Sequence, residues 1–170
     1  MLIFVSTSVK RSAFWAPEAA FTIVRDDAEI GRVDLTSSPK GGKARISLRE
    51  RSFECRIHIT GKAHWNYVPS RWVMYSADAT LHGATRESAR TFLIDGEEGL
   101  EPLRLRVGNP TAIERAVDRA KVGEIKGLKR LLLPKFRPHR VGLDASLDLP
   151  ETFEVLLLWI VVQNDLRSAG

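Results

Sequence analysis

The sequence contains one cysteine, Cys55, so it can form neither an internal disulfide nor a zinc or iron–sulfur site with several cysteine ligands. It also lacks a hydrophobic run long enough to span a bilayer. The apolar run at residues 155–162 contains eight residues, whereas a spanning helix needs about 20. The apolar residues 1–5 are too few for the core of a signal peptide and precede Lys10 and Arg11. These absences predict a soluble, cytoplasmic protein in a reducing compartment.

Glycine and proline are too few for a fibrous chain, at 12 and 8 of 170 residues. Hydrophobic residues make up 44% of the chain, which is too apolar for a disordered protein. A chain of this length is large enough to bury one hydrophobic core. We therefore predict a single domain over residues 1–170. The formal net charge of +5 permits an anionic partner without requiring one.

Apolar and polar residues alternate along much of the first 140 residues, and this period of two is typical of half-buried β-strands. Residues 44–48 and 53–59 predict one hairpin, and residues 21–24 and 30–35 predict another around an acidic turn. Residues 112–126 fit either a hairpin or an amphipathic helix, and the hairpin is favoured. The pattern as a whole predicts a mostly-β domain.

The C-terminal segment has a different pattern. Asp148 can cap a helix, and Pro150 suits its first turn, so we predict a helix over about residues 148–165. Residues 155–162 are apolar on every side, which requires burial all round. Because this run is rich in valine and isoleucine, a β-strand is the alternative. If the segment is a helix, the preceding strands must enclose it.

Antiparallel hairpins followed by one fully apolar helix make an unusual arrangement, which resembles the tubby C-terminal-like superfamily. That superfamily includes tubby, the LURP-one-related proteins and the phospholipid scramblases. The segments that resemble it are 21–24, 30–33, 122–125, 141–144 and 156–158. The resemblance implies a closed antiparallel β-barrel of about a dozen short strands enclosing the hydrophobic C-terminal α-helix. It implies no catalytic residues, because members range from phosphoinositide binders to proteins without an established activity.

One stretch of the sequence, residues 126–140, contains no acidic residue. Its six cations are Lys126, Lys129, Arg130, Lys135, Arg137 and Arg140. Between them lie Phe136 and the leucines at 131–133. Each cation close to an anionic membrane contributes about 1 kcal/mol, and exposed apolar side chains add burial in the interface. The stretch is therefore the best candidate for an anionic lipid or phosphate site. The favoured interpretation, however, is that residues 131–133 are buried and the cations are merely solvated.

Nucleic acid is a less favoured partner of the basic residues. Further arginines are available at positions 45, 49, 51 and 56. However, Glu50 and Glu54 lie among them, and the nearby Phe53 is better explained as a core residue than as a platform for base stacking.

Enzymatic motifs are absent from the sequence. No Gly-x-Ser-x-Gly elbow occurs, and the pair Glu97 and Glu98 lies in a turn where solvated charge is the ordinary explanation. Cys55 and His58 would point to opposite faces of a regular strand, so they predict no metal site. His82 has no potential ligand close to it in sequence. We therefore predict no catalytic residue, no metal ligand and no cofactor.

Aromatic residues cluster in the two regions with the least regular pattern, where they would either cap the barrel or form a partner surface. They are Phe14, Trp15, Trp65, Tyr67, Trp72 and Tyr75. The leading hypothesis is a non-enzymatic binding or scaffolding module that docks peripherally on an anionic phospholipid or phosphoinositide surface. The alternatives are a small enzyme with a pocket at the barrel rim and a protein–protein interaction module.

Overall fold

A computed structural model describes residues 1–11, 17–38, 41–77, 79–127 and 140–168, which form twelve β-strands and one α-helix. The strands are β1 (Leu2–Arg11), β2 (Pro17–Arg25), β3 (Ala28–Ser38), β4 (Gly41–Leu48), β5 (Arg51–Ile59), β6 (Ser70–Ser76), β7 (Ala79–Arg86), β8 (Thr91–Ile94), β9 (Leu103–Arg106), β10 (Thr111–Arg115), β11 (Lys121–Lys126) and β12 (Arg140–Ala145). The helix is α1 (Glu151–Ser168).

The twelve strands form one closed barrel in which each strand is antiparallel to the strands on either side. Strand β1 closes the barrel by pairing with β12, with Phe4 opposite Val141. Closure pairs the strand edges that an open sheet would expose to other chains. The predicted fold class is confirmed. The hairpin favoured for residues 112–126 is confirmed as well, because β10 and β11 pair antiparallel.

Helix α1 lies inside the barrel, and residues 155–162 are all buried. It begins at Glu151, because the carbonyl oxygen of Pro150 accepts the N–H groups of Phe153 (2.9 Å) and Glu154 (3.1 Å). This start is three residues after the predicted bound. The central helix is thus confirmed, and the strand alternative for residues 155–162 is wrong.

The inner wall of the barrel is built from alternate residues of each strand, as the period of two requires. The ring centroid of Trp72 lies 5.2 Å from that of Trp159 on the helix and 5.0 Å from that of Phe92. Large apolar side chains buried in this way stabilise the fold by roughly 1.5–3 kcal/mol each. The core is therefore a wall of strands packed directly on a helix.

Because neighbouring strands run in opposite directions, the connections alternate between the two ends of the barrel. We call the end at the start of α1 the helix-start rim and the opposite end the helix-end rim. The described connections of the helix-start rim are residues 26–27, 49–50, 77, 95–102, 116–120 and 146–150. Those of the helix-end rim are residues 60–69, 87–90, 107–110 and 127.

Candidate functional site

The helix-start rim is acidic. Two arginines, Arg49 and Arg119, are its only Lys or Arg residues in the described connections. The nine acidic residues of these connections are Asp26, Asp27, Glu50, Asp95, Glu97, Glu98, Glu101, Asp118 and Asp148.

The helix-end rim is basic. In the described strands, the three residues of each strand closest to this rim include only two acids, Glu18 and Glu124. The nine cations in the same positions are Lys10, Arg11, Lys43, Arg71, Arg86, Arg104, Arg106, Lys126 and Arg140. Acids therefore predominate in the connections of one end and cations in the strand ends of the other, and a separation of charge orients a protein toward an anionic surface.

The loop formed by residues 60–69 presents an exposed tryptophan at the helix-end rim. Trp65 is 95% exposed. The loop around it is held by backbone hydrogen bonds from Thr60 to Pro69 (3.0 Å) and from His64 to Tyr67 (2.8 Å). The His64 and Tyr67 rings are stacked, with centroids 4.7 Å apart. The fold thus orders this loop while leaving its largest apolar side chain in water.

Arg86 joins this loop to the barrel. Its guanidinium lies 5.9 Å from the ring centroid of Tyr67 and donates hydrogen bonds to the carbonyl oxygens of Ser88 (3.1 Å) and Ala89 (2.9 Å). Burial lowers the pKa of Arg86, and the nearby charge of Arg167 adds to this effect. Arg86 is therefore a structural cation of the rim rather than one available to a ligand.

A groove of about 330 Å³ lies on the outer face of β1 to β4 and extends away from the same rim. Strand register places Lys10 beside Glu18, Thr36 and Lys43 in one row, and Arg45 in the next row. Lys10, Lys43 and Arg45 form no ion pair with any described residue, whereas Arg32 pairs with Asp34 at 3.0 Å. Ala20 lies in the groove between these longer side chains, which leaves room above it. The groove thus contains cations that a bound anion could reach.

A second groove, of about 500 Å³, is lined by Arg104, Arg106, Glu87 and Glu114 among others. Here the charges pair with each other: Arg104 lies 3.4 Å from Glu87, and Arg106 lies 2.9 Å from Glu114. Two of its three arginines are already paired, and only Arg119 makes no ion pair with a described residue, which makes the groove a weaker candidate for an anion.

The basic stretch predicted as the ligand site is only partly described. Lys126 and Arg140 lie at the helix-end rim, while Lys129, Arg130, Lys135, Arg137 and residues 131–133 lie outside the described residues. Lys126 is ion-paired with Glu124 at 2.7 Å, and this hydrogen bond raises the pKa of its ammonium group. Arg140 makes no ion pair within the described part of the chain.

The helix-start rim contains a chain of hydrogen bonds centred on a buried histidine. His82 of β7 is 5% exposed. Its Nε2 lies 2.8 Å from Oγ1 of Thr152 in the first turn of α1, and its Nδ1 contacts Oε1 of Glu97. The Phe153 ring stands edge-on to the imidazole, with centroids 5.3 Å apart. Glu97 is therefore a partner of His82 and not merely a solvated turn residue, as its sequence position had indicated.

Ion pairs at this rim also fix the start of the helix. Arg25 lies 3.0 Å from Glu151 and 2.5 Å from Glu154, and Arg49 lies 2.8 Å from Glu151. The hydrogen bond from Arg49 lowers the pKa of Glu151. Burial raises the pKa of Glu154 although Arg25 opposes the shift. Much of the charge at this rim is therefore used within the protein.

Cys55 and His58 lie on opposite faces of β5, as predicted. The thiol is buried in the core, and this burial raises its pKa. His58 is exposed on the outer surface, 2.8 Å from the hydroxyl of Tyr75. Across the residues that the structure describes, no three His, Cys, Asp or Glu side chains converge to form a metal site.

Three features were not found by sequence reasoning: the exposure of Trp65, the groove at Lys10 and Lys43, and the contacts of His82. Polar side chains that come from three distant segments give no local pattern. The inward position of His82 in β7 was the one available signal, because an inward histidine needs polar partners.

Comparison with known proteins gives no match to a family model, a curated protein or a solved structure. Throughout the described ranges, no helix combines the length and hydropathy needed to cross a bilayer.

Proposed function

We propose that the protein is a binding module that docks peripherally on anionic phospholipid surfaces through its helix-end rim. The observation that supports this most strongly is Trp65, which an ordered loop holds 95% exposed at the basic end of the barrel. Tryptophan favours the membrane–water interface, and cations beside it add electrostatic attraction to anionic lipid.

The groove beside this rim supports the same function. A membrane that contacts Trp65 brings anionic headgroups close to the end of the barrel, where Lys10 and Lys43 form no ion pair with any residue that the structure describes. Arg45 lies further along the groove and can take part in holding one phosphate group, because a guanidinium can donate two parallel hydrogen bonds to it. We include the cations Lys129, Arg130, Lys135 and Arg137 in the proposed site on the basis of the sequence pattern alone.

Membership of the tubby C-terminal-like superfamily is part of the proposal. The closed barrel of twelve antiparallel strands around a C-terminal helix supports it, as does the sequence resemblance.

The decisive experiment is co-sedimentation with vesicles of phosphatidylcholine alone and of phosphatidylcholine with phosphatidylserine. We expect binding to the anionic vesicles only. Trp65→Ala should weaken it at least about tenfold, since burial of a large apolar side chain contributes roughly 1.5–3 kcal/mol. Val117→Ala is the matched control, because Val117 is 76% exposed at the opposite rim and its loss should have no effect. Equal binding to both vesicle types, or no binding to either, would contradict the proposal.

The double variant Lys129→Glu and Arg130→Glu tests the basic stretch in the same assay. We expect it to lose anionic binding, and unchanged binding would remove the stretch from the site. A protein-interaction module is the alternative that would follow if Trp65→Ala left vesicle binding intact but abolished association with a protein.

A further inference from the structure

Thr152, His82 and Glu97 form a continuous hydrogen-bonded series at the helix-start rim, far from the proposed lipid site. The three residues come from α1, β7 and the loop 95–102, respectively. The loop is fixed over β7 by the hydrogen bond from the N–H of Asp95 to the carbonyl of Gly83 (3.0 Å). It turns back on itself through paired hydrogen bonds between Glu97 and Leu100, each 2.9 Å.

The chemistry of the three groups sets the direction of the hydrogen bonds. A carboxylate accepts hydrogen bonds, so the tautomer that suits Glu97 is the one in which Nδ1 of His82 donates a hydrogen bond to it. In that neutral tautomer Nε2 is an acceptor, to which the hydroxyl of Thr152 can donate. This is the order of nucleophile, base and orienting acid that activates a hydroxyl in acyl-transfer enzymes.

The start of α1 adds donors for a developing negative charge. The first N–H groups of a helix have no acceptor within the helix, and those of Glu151 and Thr152 have none in the described contacts. Thr152 is partly exposed, whereas His82 is buried. Thr152 is therefore the member of the series that lies closer to solvent, and the imidazole is held in place behind it.

We propose that Thr152 is a nucleophile toward small activated carboxylic esters, with His82 as the general base and Glu97 as a positioning residue. Oγ1 of Thr152 attacks the carbonyl carbon and passes its proton to Nε2 of His82. The ester C–O bond breaks, and the leaving oxygen takes that proton to give the free alcohol and an acyl-threonine. Water then attacks the acyl group through the same base and releases the carboxylic acid, so that one ester and one water yield one acid and one alcohol.

The test is reaction of the full chain with p-nitrophenyl acetate, followed by release of p-nitrophenol and by peptide mapping of the acetylated residue. We expect acetyl transfer to Thr152 and at least a 100-fold slower reaction in Thr152→Val, the scale of general-base assistance. Thr152→Ser should retain the reaction. Thr80→Val, at an exposed threonine of the same strand as His82, is the matched control and should react like the unmodified protein.

The variant Glu97→Gln tests whether Glu97 positions the imidazole of His82 or only stabilises the loop. Since an amide can donate as well as accept, it does not fix the imidazole tautomer. We expect a slower reaction whose pH dependence differs from that of the unmodified protein, with circular dichroism unchanged. Acetylation only at lysines, an unreactive protein, or a folded Thr152→Val variant that reacts at the original rate would each overturn the proposal.

Discussion

The two rims of the barrel differ in charge and in how that charge is used. At the helix-start rim, acidic connections meet Arg25, Arg49 and His82, and these contacts hold the first turn of α1. At the helix-end rim, cations predominate, and Lys10 and Lys43 have no ion-pair partner among the described residues. Trp65 stands exposed at the same rim.

This difference shows that the same types of residue can serve stability at one end and recognition at the other. Charges paired within the protein contribute to the folded state and offer little to a ligand, because a new partner must displace the old one. Unpaired cations that are solvated lower the stability of the folded state little, and they keep their full electrostatic attraction for an anion. The ion pairs of Glu151 and Glu154 accordingly anchor α1 at the helix-start rim. Some cations of the helix-end rim, such as Arg104 and Lys126, are paired as well, but Lys10 and Lys43 make no ion pair with the described residues and can reach an anion.

The largest loss of stability is expected in the middle of α1, because this part of the helix supports the barrel at both rims. Leu157 is fully buried in the middle of α1, so Leu157→Asp places a carboxylate in the core and should cost more than about 4 kcal/mol. We expect no soluble folded protein, as measured by expression and circular dichroism. Leu157→Met, of similar volume, is the control. A Leu157→Asp variant that remained folded would contradict the central position of the helix.

The anchoring role of the helix-start rim is tested by Arg25→Met. This change leaves the half-buried Glu154 without a cation and should destabilise the protein by about 2 kcal/mol, between the values for exposed and buried pairs. Arg32→Met removes the cation of the exposed Arg32–Asp34 pair and should lower the stability by less than about 0.5 kcal/mol. Urea unfolding measures both, and equal losses would show that Arg25 is no anchor.

The pH dependence of Arg25→Met provides a second measurement. Burial raises the pKa of Glu154, so the folded state binds a proton more readily than the unfolded state. Stability lost in the variant should therefore be regained as the pH falls toward the ordinary glutamate pKa, about 4.3. If the stability loss in Arg25→Met stayed constant with pH, the loss would not come from the ionised carboxylate of Glu154.

The recognition role of the helix-end rim is tested by Lys10→Glu with Lys43→Glu. Loss of two cations alone should weaken binding to anionic vesicles by about 2 kcal/mol, or about 30-fold, and the two added carboxylates should increase the effect. The control is charge reversal at the other rim, Glu50→Lys with Glu98→Lys, which should change binding far less. Equal and opposite effects of the two double variants would show that only net charge matters.

The smallest effect is expected for the stability of Trp65→Ala. Because Trp65 makes almost no contact with the barrel, the free energy of unfolding should change by less than about 0.5 kcal/mol. Trp72→Ala, at a fully buried position, should cost about 3–5 kcal/mol. Thermal unfolding distinguishes the two, and a large loss in Trp65→Ala would mean that its exposed position serves the fold.

Much of the architecture could be predicted because it follows from local periodicity. The alternation in residues 44–48 and 53–59 predicted their hairpin, and the apolar run 155–162 predicted a helix buried on every side. The start of α1 was placed three residues too early, since Asp148 is a suitable cap but the carbonyl of Pro150 accepts the first helical hydrogen bonds. Element type was thus more predictable than element boundary.

The site was less predictable because it depends on which strands and loops become neighbours. Trp65 and Trp72 look alike in sequence, yet one is exposed in a loop and the other faces the helix. Glu97 and Thr152 are each unremarkable until the barrel places them on either side of His82. Contacts between segments so distant in sequence leave no periodic pattern to recognise.

The sequence by itself determined that the chain has one cysteine, one core and a terminal segment apolar on all sides, because composition and periodicity are local properties. Only the tertiary structure decided which charges are paired and which are free. A closed antiparallel barrel sends alternate connections to opposite ends, and this sorting separates acids from cations along the axis of the helix. In the part of the chain that the structure describes, acids thereby predominate in the connections of one rim and cations in the strand ends of the other.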